Sequence, residues 1–570
     1  MSAWYHAHQA IIAFSLVNIL LGLGMFSAIG LGLISLAGAG FMAAGAYAAG
    51  VTATRYGVGY PETLGLAMLA GGLLSAVIAL PVIRLRSHYF AIATLAFSLV
   101  VSAILVKWAW VSGGSVGFIA VPLRTTTRDL AIAVVGAAAL LQLIFRSETG
   151  RVFRAIRSDE YVCAISGVRI RYYKFLALTL SGILSGLAGG MYAQVLGVLQ
   201  PSDFREGRAF AILSYAVFGG AWHWSGSVLG ALILTWLPEY LRVFSNYRDI
   251  LTGCVLLGVV MLAPGGLVQP FRGHKLRLFL RKRRRSATRT APAATERARG
   301  EFARLPRHAA PNGQGIPVCE ITGIRKRFGG VHALSDVALT LPDGGGIYGL
   351  IGPNGSGKTT LLNVINGFTP PDAGSVLIRG DDLTSRGAAS VARAGVARSF
   401  QDPRVLAEMS VFDNVLIGCH PLRIAGALES PFKTRRGRRD EREAVRRAET
   451  ALATFGLEPF ADHDAGSLSF GQRRLVELAR ISVSDPALVI LDEPTSGVNP
   501  VLIQVLSDHL RERRHSKRTA YLVAEHNIPF VMELCDFVFV MEGGKLLAQG
   551  APAAIQRDER VLEAYLGANA

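Results

Sequence analysis

Residues 352–359 read Gly352-Pro353-Asn354-Gly355-Ser356-Gly357-Lys358-Thr359, a G-x-x-x-x-G-K-[ST] run directly after the apolar stretch Gly349-Leu350-Ile351. Glycines at this spacing let backbone N–H groups turn toward phosphate oxygens, and a helix starting near Lys358 adds the positive end of its dipole. The pattern predicts that Lys358 bridges β- and γ-phosphates and that the Thr359 hydroxyl faces Mg2+, with Thr360 beside it. Further along, Leu488-Val489-Ile490-Leu491-Asp492-Glu493 is an apolar run ending in two carboxylates. A buried parallel strand would deliver both to the phosphate loop. Asp492 is then the expected partner of Mg2+, directly or through a ligand, and Glu493 the expected base for an attacking water.

Between these two segments lies Leu468-Ser469-Phe470-Gly471-Gln472. It resembles the LSxGQ signature of ABC ATPases, and the order of the motifs is also theirs. The resemblance implies that Gln401, in Ser399-Phe400-Gln401, touches metal and water and reports to a membrane partner, and that His526 contacts the γ-phosphate. It also implies that Phe328 stacks on adenine, although an ordinary core role is the alternative for that residue. Ser469, Gly471 and Gln472 would meet the ATP held by a second ATPase domain, so one chain does not complete a site alone. Asn499, in Ser496-Gly497-Val498-Asn499-Pro500, stands where many members of the family have Asp, and its part in signalling between subunits stays open.

The elements that carry these residues fill less than half of the 570 residues. From Ile11 to about Val268 charge is sparse and apolar runs approach bilayer length, whereas charge and turn residues return beyond Arg272. Candidate spans are about 10–34, 35–50, 63–83, 89–108, 129–145, 175–197, 209–222, 226–243 and 249–268. The second and seventh are short for a ~30 Å core and are expected to be broken or re-entrant unless they cross fully. The Gly residues in them predict close helix packing.

The fold class expected is an all-α multispanning membrane domain (1–271), a basic linker (272–315) and an α/β P-loop ATPase domain of the ABC type (316–570). Basic residues gather at Arg84 and Arg86, from Arg146 to Lys174, and from Arg281 to Arg285. The positive-inside rule then predicts an extracytoplasmic N-terminus and a cytoplasmic ATPase, in a multi-pass protein of the cytoplasmic membrane. The net charge of +18 is assigned to topology and anionic membrane lipid, and nucleic acid is not expected as a partner. Five scattered cysteines without a CxxC pair argue against a disulfide framework or zinc site. The N-terminus lacks the pattern of a cleaved signal peptide, and its first apolar run is expected to remain as a membrane helix.

The membrane half resembles branched-chain amino acid ABC permeases. The likeness runs through Arg84–Leu99, Ser112–Gly117, Gly150–Ala193, Phe218-Gly219-Gly220 and Met261–Leu267, and Arg154–Gly167 looks like a cytoplasmic coupling helix. The chain departs from the family in lacking a histidine between Leu36 and Gly45 and in joining permease and ATPase on one polypeptide. The resemblance implies ATP-driven import of branched-chain or related hydrophobic amino acids, with ATP and Mg2+ as cofactors. Urea or short amides are the alternative cargo, and an exporter half-transporter the alternative machine. A second permease and ATPase half is implied as partner, a hetero-assembly being favoured over a homodimer, together with an extracytoplasmic solute-binding protein. No run identifies residues that touch the cargo.

Overall fold

The computed structural model describes residues 2–85, 87–241, 248–263, 265–268, 315–497, 503, 504, 506–508, 510, 511 and 519–566. The expected linker, apart from Gly315, and Asn499 lie outside them. The chain divides into two compact units. One comprises Met1–Arg157, Ile170–Thr288 and Ser430–Phe432, the other Ser158–Arg169, Arg289–Glu429 and Lys433–Ala570.

The first unit is helical: α1 (Ser2–Ile29), α2 (Gly38–Arg55), α3 (Tyr60–Val82), α4 (Ser87–Lys107), α5 (Ala109–Ser112), α6 (Thr127–Arg146) and α7 (Glu148–Ser158), all but the last residue of α7 lying within it. After the short α8 (Glu160–Ile165), which groups with the other unit, come α9 (Ile170–Leu196), α10 (Glu206–Gly219), α11 (Trp224–Tyr240) and α12 (Arg248–Leu262). A two-residue pairing of β1 (Phe118–Ile119) with β2 (Val198–Leu199) ties the α5–α6 and α9–α10 connections together. Among the described residues five helices are long and apolar enough to cross a membrane: α1, α3, α4, α6 and α9.

The segments expected to be unusual behave differently from one another. The Gly- and Ala-rich α2 is one continuous, largely buried helix of 18 residues, whereas α10 and α11 meet at a 120° bend and count as at most one further span. That bend falls at Gly219 and at Gly220, whose φ of 110° lies in the region that favours glycine. The α12 helix, with 15 residues, is too short to cross unaided.

Small residues set how α2, α3 and α9 pack. A Cβ on Gly45 would fall on the Gly186 carbonyl oxygen, and one on Gly71 on that of Gly182, so these helices touch backbone to backbone. Replacing Gly45 with Val should therefore force the helices apart. The expected loss is about 1–3 kcal/mol or more, visible as a lowered melting temperature of the full chain in detergent. Gly65→Ala, where nothing lies within 4 Å of the added carbon, is the matched control and should leave the melt unchanged or raise it.

The second unit holds the two sheets of the ATPase. An antiparallel sheet has the order β4 (Val331–Leu341), β3 (Cys319–Phe328), β6 (Ala373–Ile378), β7 (Asp381–Asp382). The other sheet runs β12 (Lys545–Gly550), β11 (Phe537–Glu542), β5 (Gly346–Ile351), β10 (Ala520–Ala524), β9 (Leu488–Asp492), β8 (Val396–Arg398). All its pairings are parallel except β11 with β12. The β9 and β10 strands are buried throughout, which matches their unbroken apolar sequences and a sheet covered on both faces. Helices α13 (Lys358–Ile365), α14 (Ala388–Arg393), α15 (Val411–Ile417), α16 (Arg435–Thr454), α17 (Phe470–Ser482) and α18 (Ile528–Leu534) complete the layers used below.

The α8 segment is seated within this unit. Asp159 caps it, accepting from the Tyr161 and Val162 amides, and pairs with Arg404 at 3.4 Å. Tyr161 packs edge-on against Phe368, and the Gly167 carbonyl accepts from Arg393 at 3.0 Å.

Candidate functional site

The neighbouring strands β5, β10 and β9 run parallel, so their C-terminal ends share one edge of the sheet, where the functional loops of open α/β sheets gather. From β5 the chain enters the loop 352–357 and then α13, which begins at Lys358 as the sequence predicts. Gly352, Gly355 and Gly357 have φ values of 153°, 79° and 99°. A Cβ on Gly352 would collide with the Met541 carbonyl oxygen and one on Gly357 would crowd that of Ala333, so both positions need glycine. Pro353 is half-buried, Asn354 and Gly355 are exposed, and Ser356 is buried. Lys358 Nζ donates to the carbonyls of Gly352 at 2.7 Å and Pro353 at 3.0 Å, which holds the ammonium inside the loop. Burial lowers the Lys358 pKa from its usual value, opposed by the charges of Glu493 and Asp492. Thr359 is exposed at the first turn of α13 and Thr360 half-buried beside it.

At the end of β9, Asp492 lies against β8. Its Oδ2 accepts from Arg398 Nη2 at 2.8 Å, its amide donates to Ser399 Oγ, and Arg398 also reaches Asn363 Oδ1. Glu493 turns into the left-handed region at φ 45°, a conformation that costs a non-glycine residue about 1–3 kcal/mol and is held by its amide donating to the Ala524 carbonyl. The turn aims its carboxylate between two other predicted residues. Oε2 accepts from Gln401 Nε2 at 2.8 Å, and Oε1 lies 3.0 Å from His526 Nε2. Residues 401, 493 and 526, remote in sequence, thus meet at one carboxylate.

Ser469, Gly471 and Gln472 are not part of that meeting. Ser469 caps α17: its Oγ accepts from the Gln472 amide and Gln472 Oε1 accepts from the Ser469 amide, a reciprocal pair that leaves the serine exposed. Phe328 ends β3 with 52% of its surface exposed, so the core alternative for it does not hold. Lys326 Nζ lies 5.5 Å from its ring centre.

Sequence reasoning missed the supports beneath these groups. Buried Glu525 accepts from the Thr495 amide and hydroxyl and from the His526 amide, fixing the turn that carries the histidine. Arg474, 1% exposed, donates to the carbonyls of Phe400 at 2.6 Å and Gln401 at 2.5 Å and pairs with Glu477 at 2.8 Å. Glu477 in turn accepts from the Phe400 amide. Burial raises the Glu477 pKa against the pull of Arg474 and Arg480. A charged residue closing a short apolar strand, as in Val396-Ala397-Arg398, was the available sign for Arg398.

The expected metal donors are the Thr359 hydroxyl, the Gln401 amide oxygen and the Asp492 carboxylate. These are hard oxygen donors of the kind Mg2+ takes, and Asp492 keeps one oxygen beyond its bond to Arg398. Among the described residues no group of His, Cys, Asp and Glu forms a further metal cluster, and the described cysteines are free thiols.

Comparison with known proteins covers both units. Residues 9–261 match the family described as branched-chain amino acid transport system / permease component, residues 334–496 ABC transporter, and residues 545–570 branched-chain amino acid ATP-binding cassette transporter. The high-affinity branched-chain amino acid transport ATP-binding protein LivG of Escherichia coli is 38% identical over 252 residues, 44% of this chain and 98% of that protein. BraF of Pseudomonas aeruginosa, with the same description, is 36% identical over 251 residues, again 44% and 98%. A solved nucleotide-free ATP-binding cassette from an ABC transporter aligns at 34% identity with a TM-score of 0.38, over 44% of this chain and 98% of that one.

Proposed function

The chain belongs to the branched-chain amino acid ABC transporter family, with permease and ATP-binding cassette on one polypeptide, and on that premise we propose that it drives import of branched-chain or related hydrophobic amino acids. The observation that carries the motor half of this reading is the meeting of Gln401, Glu493 and His526 at the edge of the sheet that also bears the phosphate loop. In that arrangement Glu493 takes the proton of the attacking water, Gln401 orients the water, and His526 holds the γ-phosphate side. Lys358 and the loop amides bind the β- and γ-phosphates, Phe328 offers its exposed ring to adenine, and the exposed Ser469 cap meets the ATP of a second cassette. Thr359, Gln401 and Asp492 would hold Mg2+, which neutralises charge on the transferred phosphoryl group.

The Asp159–Gly167 segment, bound by Arg404 and Arg393 close to Gln401 in sequence, supports coupling of nucleotide state to the membrane helices. The charge distribution supports an extracytoplasmic N-terminus and a cytoplasmic ATPase. The working assembly then comprises this chain, a second permease and ATPase half, and an extracytoplasmic solute-binding protein.

The test is uptake of radiolabelled leucine into proteoliposomes holding the chain with its neighbouring subunits and binding protein. Accumulation above equilibrium that requires ATP supports the proposal. ATP hydrolysis with no leucine movement would overturn it.

A further inference from the structure

We propose that Arg208 and Asp203, at the head of α10, form the recognition site for an amino-acid zwitterion, the guanidinium taking the cargo carboxylate and the carboxylate taking its ammonium group. The inference rests on the import reading above and adds the place and chemistry of cargo recognition.

Arg208 reaches into the helical unit rather than out of it. Its Nη1 lies 3.5 Å from Asn18 Oδ1, its Nε donates to the Asp203 backbone carbonyl at 3.3 Å, and its guanidinium carbon lies 5.5 Å from the centre of the Tyr192 ring. Asn18 is buried midway along the apolar stretch His8–Ile29 of α1 and donates to Thr235 of α11 at 3.0 Å. Arg208 and Asp203 are both half-buried, and among the described residues no carboxylate forms an ion pair with the guanidinium. Asp203 is in the complementary position. Its Oδ2 accepts from the Gln200 amide at 3.2 Å, and no cation pairs with it among the described residues. The two opposite charges thus stand within one turn and a half of chain without neutralising each other.

The surroundings fit the rest of such a ligand. Tyr192, beneath the guanidinium, packs edge-on against Phe204, the residue that follows Asp203. Tyr47 is 3% exposed, and its buried hydroxyl has no hydrogen-bond partner among the described residues. Its ring packs on Phe204, 5.9 Å centre to centre, and also borders an apolar cavity of about 380 Å³ lined by Ala44, Ala48, Val51, Leu105 and Trp108. A small hydrophobic amino acid presents this same sequence of groups: two opposite charges on one carbon, then an apolar side chain.

The experiment uses the full chain with its partner subunits in proteoliposomes, with loaded binding protein outside, and compares leucine with 2-hydroxy-4-methylpentanoate, which keeps the carboxylate and side chain but lacks the ammonium. Leucine uptake per ATP hydrolysed should fall at least tenfold in Arg208→Gln and recover partly in Arg208→Lys. In Asp203→Asn the wild-type preference for leucine over the hydroxy acid should collapse. Binding of radiolabelled leucine to the same complexes in nanodiscs, without binding protein, should follow the same order. Uptake within twofold of wild type in both variants would overturn the site. So would a loss that leaves the analogue preference intact, the mark of a structural anchor, or a loss confined to a higher KM for loaded binding protein, the mark of a docking surface. A wild type that hydrolyses ATP but moves no leucine would overturn the import reading and this site with it.

Discussion

Replacing Glu493 with Gln should lower ATP turnover by roughly 10²–10⁴-fold while leaving nucleotide binding close to wild type. Gln has the same shape, so the amide oxygen still accepts from Gln401 Nε2, now at 2.8 Å from Glu493 Oε2, and the backbone still sits at φ 45° at the same conformational expense. What the amide loses is the ability to take a proton from water. The phosphate loop, with its glycines and Lys358, is untouched. Phosphate release from radiolabelled ATP, set beside binding of a fluorescent ATP analogue, separates the two quantities. Turnover within threefold of wild type would remove Glu493 from the role of base and leave it as a link between Gln401 and His526. In vesicles the same variant should abolish uptake, which ties transport to hydrolysis by this cassette.

The second large effect is expected at Arg474. Changing it to Met keeps much of the side-chain volume but takes from Glu477, 0% exposed, its nearer cation at 2.8 Å and leaves it only Arg480 at 3.8 Å. Breaking a buried pair from one side is destabilising by about 3–5 kcal/mol. For a cassette of this size that corresponds to a fall in melting temperature on the order of 10 °C. Adding Glu477→Leu should restore only part of the melt, because the buried carboxylate is gone but Arg480, 2% exposed and 3.8 Å from Glu477, then loses its own counter-charge. ATPase activity should stay low in the double variant, since the carbonyls of Phe400 and Gln401 have still lost their donor. Thermal unfolding of the full chain, followed by fluorescence and paired with ATPase rates, completes the cycle. If activity returned along with stability, Arg474 would be a packing residue without influence on Gln401.

The turn at 352–357 and the helix start at Lys358 were legible in the sequence because their parts are contiguous: the glycines and the residues after them set a local backbone geometry that eight neighbouring residues specify. Gln401 and His526 required the resemblance to ABC ATPases, since nothing near either one says that both will face Glu493. Arg474 and Glu525 were not legible. Each acts on a residue brought near by folding, Arg474 on carbonyls of the loop after β8 and Glu525 on the turn after β9, and a buried charge has no local signature beyond its presence in an apolar run. In the membrane half, hydropathy located the helical segments but not their paths. Glycine content alone did not separate the straight α2 from the bent α10–α11 pair, because the same residue permits both close packing and a sharp turn. Phe328 was ambiguous for a similar reason: a phenyl ring reads as core in sequence, and only its place at the end of an edge hairpin shows it exposed.

The stretch from Ser399 to Arg404 listens in three directions at once. Its serine hydroxyl takes the Asp492 amide and its glutamine side chain the Glu493 carboxylate, its main-chain oxygens hang from the helix that Ser469 begins, and its arginine pairs with Asp159. Genetically, such a segment is an intersection rather than a wire. A lesion in it would disturb traffic on every arm, and a compensating change could arise at any of three distant places in the gene, so the map of suppressors would scatter even though the damage is local.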